Sequence, residues 1–227
     1  MRRLLLFDID GTLVRGGAAK KAFEVALQSA YGTAGAIDTH DFSGKTDPQI
    51  ARELLTGAGL DDGRVDAGLP ALFGRYLEEL ERRLPGEPMR ILPGVPALLD
   101  ALDASGDAAL GLVTGNVIGG ARLKLGSVGL FDRFRVGGYG SDHEARNHLP
   151  GIAIARARES WRRDWDPADV WIVGDTPRDV ECGKHEGVKT LAVATGRHGS
   201  DELVGCGADA VLEDLSDLEE AVRVLLG

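Results

Sequence analysis

The sequence predicts an α/β protein built on a parallel sheet, with a separate helical segment inserted after the first strand. Three observations carry this. Short β-type runs recur along the chain, helical patterns mostly separate them, and one long stretch breaks the alternation by showing helical patterns and no strand.

The β-type runs are Leu4 to Phe7, Ala108 to Val113, Val136 to Tyr139, Val170 to Val173, Thr190 to Val193 and Ala210 to Leu212. Between the first two lies the exception, from Gly16 to about Leu84. Its clearest helix carries Leu69, Leu72, Phe73, Tyr76, Leu77, Leu80 and Leu84, a stripe suited to helices packing on one another, and Phe23 and Leu27 begin a second stripe. Gly16-Gly17 and Pro85-Gly86-Glu87-Pro88 bound the insert with residues that break regular elements and read as hinges. The expected division is therefore a core of residues 1–15 and 89–227 and a small helical cap of residues 16–88. After the insert, Val95, Leu98, Leu99 and Leu102 fall at helical spacing, as do Leu215, Leu218, Val222 and Leu225 near the end, so each helix needs one buried face.

Of the 227 residues 43% are hydrophobic, enough for a sizeable core. The formal charge of −10 argues against nucleic acid or an anionic membrane as partner, because a net acidic field repels both. Cys182 and Cys206 are far apart, without metal-ligand spacing, and read as reduced thiols of a cytosolic protein. The basic start at Arg2 and Arg3 meets Asp8 and Asp10 before an export-signal apolar run is complete, and no stretch is apolar enough to span a bilayer. A cytoplasmic location is the expectation.

In an open parallel sheet, ligands bind beyond the carboxyl ends of the strands. There the first run ends in Asp8-Ile9-Asp10-Gly11-Thr12, the second in Thr114-Gly115-Asn116, and the fourth in Gly174-Asp175-Thr176-Pro177-Arg178-Asp179. Taken singly, each has a plain reading: Asp8 and Asp10 as turn formers, Asp175 or Thr176 as a helix cap, and Thr114-Gly115-Asn116 as a strand-to-helix turn. Their coincidence at one sheet edge favours a site. Converging carboxylates repel one another unless protons or a metal compensate, and an all-oxygen set suits magnesium better than zinc. Asp8 and Asp175 are the first candidates as ligands, with Asp10 and Asp179 completing the acidic set.

These motifs resemble the haloacid dehalogenase superfamily, in its phosphatase branch with a helical cap after the first strand. The resemblance covers nearly the whole chain. Asp8, Asp10 and Thr12 match its first motif, Thr114 its second, and Gly174, Asp175 and Asp179 its fourth. It implies a Rossmann-like core with helices on both faces and a magnesium-dependent phosphatase acting on a small phosphorylated metabolite. By resemblance, Asp8 is the nucleophile that forms an aspartyl-phosphate and Asp10 the acid and base. Thr114, with Gly11, Thr12, Gly115 and Asn116, would contact the substrate. The third motif is usually a Lys followed by Pro; here Arg146 is the best substitute and His148 the second.

Ser43-Gly44-Lys45-Thr46-Asp47-Pro48 resembles a stretch in caps of phosphoglycolate phosphatase-like members. Lys45 is expected to face the acidic crevice and bind an anionic group of the substrate, although a solvated Lys reads equally well, and Asp47 is expected to cap a helix. His143, His185 and His198 are expected in surface or packing roles, and Trp161, Trp165 and Trp171 in packing. Phosphoglycolate is the default substrate by resemblance. A phosphomutase of the β-phosphoglucomutase type, or a non-catalytic binding protein on the same fold, are the alternatives, and oligomeric state is left open.

Overall fold

The computed structural model describes residues 1–227. Six parallel strands form the main sheet: β1 (Arg3–Phe7), β4 (Ala108–Thr114), β5 (Val136–Tyr139), β6 (Val170–Gly174), β7 (Lys189–Val193) and β8 (Ala210–Leu212). Their order is β5-β4-β1-β6-β7-β8. The direction of winding therefore reverses between β1 and β6, the position where doubly wound sheets open a crevice.

Strand β1 is buried along Leu4–Phe7 because both of its faces are covered. Leu5 and Phe7 point into one core with Leu98, Leu99 and Leu102 of α4 (Val95–Ser105) and Leu225 of α9 (Leu218–Leu226). Leu4 and Leu6 point the other way, against Ala153, Ile154 and Ala157 of α6 (Leu149–Trp161) and Cys182 of α7 (Pro177–Glu186). The two-residue period of the strand thus places helices on both faces. Helices α5 (Ile118–Gly126) and α8 (Ser200–Gly205) complete this part of the chain. Of the periodic residues in the last helical pattern, Leu215 and Leu225 are buried, whereas Leu218 and Val222 are only partly covered.

The stretch without strands folds as α1 (Ala19–Tyr31), α2 (Asp47–Gly57) and α3 (Asp62–Arg83). Phe23 meets Tyr76 edge-on at 5.2 Å between ring centroids, and the Tyr31 hydroxyl donates to the Val65 carbonyl at 2.6 Å. Helix-on-helix packing is what the two stripes predict.

The two chain crossings into and out of the insert pair as an antiparallel ribbon, β2 (Val14–Gly16) with β3 (Met89–Ile91), in the register Val14↔Ile91 and Gly16↔Met89. Three-residue strands are too short to show a period, and their pairing depends on the insert returning to its starting point. No helix is long and apolar enough to cross a membrane. Cys182 and Cys206 are both free, and burial pushes the Cys182 thiol up to about 12.

Candidate active site

The amide of Asp8 donates to the Val173 carbonyl at 2.8 Å, which continues the β1–β6 pairing one residue past the strand. Its carboxylate therefore emerges at the sheet edge, at the winding reversal. The chain then turns sharply: the amides of Leu13 and Val14 both donate to the Ile9 carbonyl at 3.0 Å. Gly11 adopts φ +89, and a Cβ there would overlap the Asp175 carboxylate. Thr12 Oγ1 donates to Asp175 Oδ1 at 3.1 Å.

Asp175 follows β6, and Thr176 caps α7. Thr176 Oγ1 and Asp179 form a reciprocal capping box in which the Thr176 amide donates to Asp179 Oδ2 at 3.1 Å. Asp179 thus serves the start of α7 with one oxygen while its other oxygen turns inward. Asp179 Oδ1 accepts from Arg146 Nη2, and the same nitrogen lies 3.2 Å from Asp8 Oδ1. Arg146 reaches this point from a 3₁₀ turn (Arg146–His148) just before α6.

Asp8, Asp175 and Asp179, all buried, place one carboxylate oxygen each within 4.8 Å of one another. Burial is the main reason Asp8 is raised to about 6, with Arg146 opposing it. Burial likewise raises Asp175 to about 8, reinforced by the charges of Asp179 and Asp8. Arg146 is held above its ordinary value because Asp179 and Asp8 outweigh the effect of burial. Three carboxylates facing one guanidinium leave negative charge uncompensated. A hard divalent cation with oxygen ligands fits that donor set.

The Asp10 carboxylate, expected among the metal ligands, lies outside this cluster. Its side chain is 45% exposed, and Oδ2 accepts from Lys124 Nζ at 2.6 Å and from Asn116 Nδ2 at 2.8 Å. Asn116 Nδ2 also donates to Thr114 Oγ1 at 2.8 Å, so the end of β4 and the start of α5 are tied to the loop after β1. The residue missed by the sequence reading is Lys124. Its only sequence signal is a charged residue on the face of α5 that buries Gly120, Ala121 and Leu125.

A cavity of about 450 Å³ opens above these groups, lined by Asp8, Asp10, Thr114, Gly115, Lys124, Arg146 and Asp175 below and by Phe23, Phe42, Lys45, Ile50 and Tyr76 from the insert. Gly11 and Asn116 also line it. Lys45 lines it as half of an ion pair, with Nζ 2.5 Å from Glu53 Oε2. Gln49 Nε2 holds the other Glu53 oxygen at 2.9 Å.

Asp47 does not cap α2. Thr46 does, its hydroxyl accepting from the Gln49 amide at 3.2 Å, while Asp47 starts the helix ahead of Pro48. The Asp47 carboxylate instead accepts from the Val117 amide at 2.8 Å, and the Asp47 amide donates to the Gly115 carbonyl at 2.8 Å. Gly115 permits this approach, since a Cβ there would overlap the Lys45 carbonyl. Arg52 adds an ion pair to Glu144 at 2.8 Å. Exposed His148 stays out of the cluster and packs at a tilt against His143, at 4.1 Å between ring centroids, which leaves Arg146 as the cation beside Asp8.

A family model described as haloacid dehalogenase-like hydrolase matches residues 5–193. Phosphoglycolate phosphatase of Synechococcus elongatus is 30% identical over 225 residues, spanning 98% of each chain. N-acetylmuramic acid 6-phosphate phosphatase of Pseudomonas aeruginosa is 28% identical, over 95% of this chain and 92% of its own. The solved structure of a hydrolase from Pseudomonas syringae superposes with a TM-score of 0.73 at 20% identity, covering 98% of this chain and 99% of that one. With the winding reversal, the acidic triad and a model match over most of its length, the chain belongs to the haloacid dehalogenase-like hydrolase family.

Proposed function

We propose that this phosphatase-branch member hydrolyses a small phosphate monoester through an aspartyl-phosphate formed on Asp8. The observation that carries the reading is Asp8 at the sheet edge, 3.2 Å from the Arg146 guanidinium and at the base of a cavity of about 450 Å³. The names of the two relatives, both phosphatases of small phosphorylated compounds, support it.

Asp8, raised to about 6, is ionised near neutrality and available as a nucleophile. Its oxygen attacks phosphorus in line; the ester oxygen departs and takes a proton from Asp10, leaving the phosphoryl group on Asp8. Water then attacks that phosphorus, Asp10 accepts the water's proton, and inorganic phosphate leaves with Asp8 regenerated. Arg146, the Thr114 hydroxyl and the backbone amides after Asp8 hold the phosphoryl oxygens, and Gly115 and Asn116 shape the floor. Asp8 and Asp175, with Asp179, would hold a magnesium ion, whose charge stabilises the phosphoryl oxygens as negative charge develops.

Residues 16–88 serve as a cap over this centre, and the Lys45–Glu53 pair is its polar contact with the leaving group. A cytoplasmic phosphate ester is the substrate, with phosphoglycolate the first to test. The test is a screen of phosphorylated metabolites with magnesium and with chelator. Magnesium-dependent release of inorganic phosphate from at least one ester is expected; release undiminished in chelator would remove the metal from the reading. Turnover only in the presence of a sugar bisphosphate would point to a phosphomutase.

A further inference from the structure

Lys124 is a buried charge in a helix face that an apolar side chain would fill. Its side chain is 5% exposed, and its single ion-pair partner within 4 Å is Asp10, at 2.6 Å. Burying an ammonium costs several kcal/mol before its partner offsets it, so a lysine rarely occupies such a position without one. The insert supplies a second, more distant acid: the charge of Lys124 draws down Asp47, which burial raises to about 6.

The hydrogen bonds on Asp10 are asymmetric. Oδ2 accepts from Lys124 Nζ at 2.6 Å and Asn116 Nδ2 at 2.8 Å, whereas Oδ1 takes no hydrogen bond from the protein. An aspartate that is 45% exposed would otherwise rotate among its staggered positions. Proton transfer needs the carboxylate within about 2.6–3.2 Å of the atom that gains or loses the proton, so that rotation matters.

We propose that Lys124 is a positioning residue for Asp10, which with Asn116 clamps Oδ2 and leaves Oδ1 free to exchange the proton. The inference rests on Asp10 as the proton-handling carboxylate. Lys124 lines the cavity but acts through Asp10, to which its ammonium is paired at 2.6 Å.

The test is a double-mutant cycle of Lys124→Met and Asp10→Asn, assayed on an alkyl phosphate, together with the crystal structure of Lys124→Met. Lys124→Met alone should lower kcat about 10- to 100-fold with KM changed less than about twofold, whereas in Asp10→Asn it should add less than about twofold. Lys124→Arg should recover part of kcat, because it retains a donor for Oδ2. In the crystal, the Asp10 carboxylate should leave its present rotamer. Losses that multiply in full in the double variant, or a rise in KM at constant kcat, would overturn the proposal. If Lys124→Met melts below the assay temperature, Lys124→Gln takes its place in the cycle. Should the wild-type protein hydrolyse no ester, the phosphatase reading fails, and the crystal structure still decides this one: an unmoved Asp10 overturns it.

Discussion

Arg146 Nη2 stands between two carboxylates, donating to Asp179 Oδ1 and lying 3.2 Å from Asp8 Oδ1. Asp8 and the first turn of α7 are thereby joined through one residue from the segment before α6.

Removing that cation should be severe. Arg146→Ala is expected to lower kcat by about 100- to 1,000-fold, as loss of one transition-state donor does elsewhere. Arg146→Lys should recover only part, because an ammonium keeps a charge beside both carboxylates but loses the bond that the second guanidinium nitrogen makes to the Gly44 carbonyl at 3.2 Å. His148→Ala, outside the cluster, should change kcat less than about threefold, within the ordinary range for an exposed side chain. Steady-state kinetics on any accepted ester gives the ranking; a larger loss for His148→Ala contradicts the assignment.

Asp8→Asn should abolish phosphate release and raise the melting temperature of the metal-free protein. The amide keeps the shape and removes one of three mutually repelling carboxylates. Thermal melts in chelator, beside a turnover assay, check both halves. A lower melting temperature would mean that the Asp8–Arg146 pair outweighs the repulsion.

Stability should fall with rising pH in the metal-free protein and should not do so with metal bound. Asp175, held near 8, and Asp8, near 6, bind protons in the folded state that the unfolded chain releases near pH 3.9. Their contribution is complete below that pH and is lost as pH rises through about 6 and then about 8. The metal-free melting temperature should therefore fall between about pH 4.5 and 8, and saturating magnesium should remove the fall by favouring the ionised carboxylates. Asp142 and Glu53, whose pKa values are lowered, act below this window; His40, lowered by burial, opposes the fall up to its ordinary value of 6.5 and Asp47, raised to about 6, adds to it, so the part of the fall above about pH 7 reports Asp175. A flat metal-free profile would remove Asp175 as the source.

Asp47→Ala should loosen the insert. It leaves the Val117 amide without the carboxylate it now donates to at 2.8 Å, a change worth about 1–3 kcal/mol. Faster proteolysis between residues 32 and 46, with the core fragment still folded, is the expected outcome; cleavage at the wild-type rate would make that contact incidental.

Much of the fold was legible because its determinants are local. The run Leu4–Phe7 reads as a doubly covered strand, and Asp8, Asp10, Thr114, Asp175 and Asp179 stand at strand ends where turn chemistry and site chemistry coincide. The β2–β3 ribbon was not legible, since its three-residue strands meet only after the whole insert has folded back. Lys124 escaped for a related reason. Its place in a helix is local, but its nearness to Asp10 depends on how α5 rotates against the sheet.

The sequence by itself determined the parallel core, the helical insert and the chemical types gathered at one edge, because hydrophobic period and strand-end polarity act over a few residues. Only the tertiary structure decided how the charges pair: Asp8, Asp175 and Asp179 around Arg146, Asp10 with Lys124, Lys45 with Glu53, and Asp47 with the Val117 amide. The physical reason is distance. Coulomb and hydrogen-bond energies change steeply over a few ångströms, and those ångströms are set by the angles at which helices pack on the sheet.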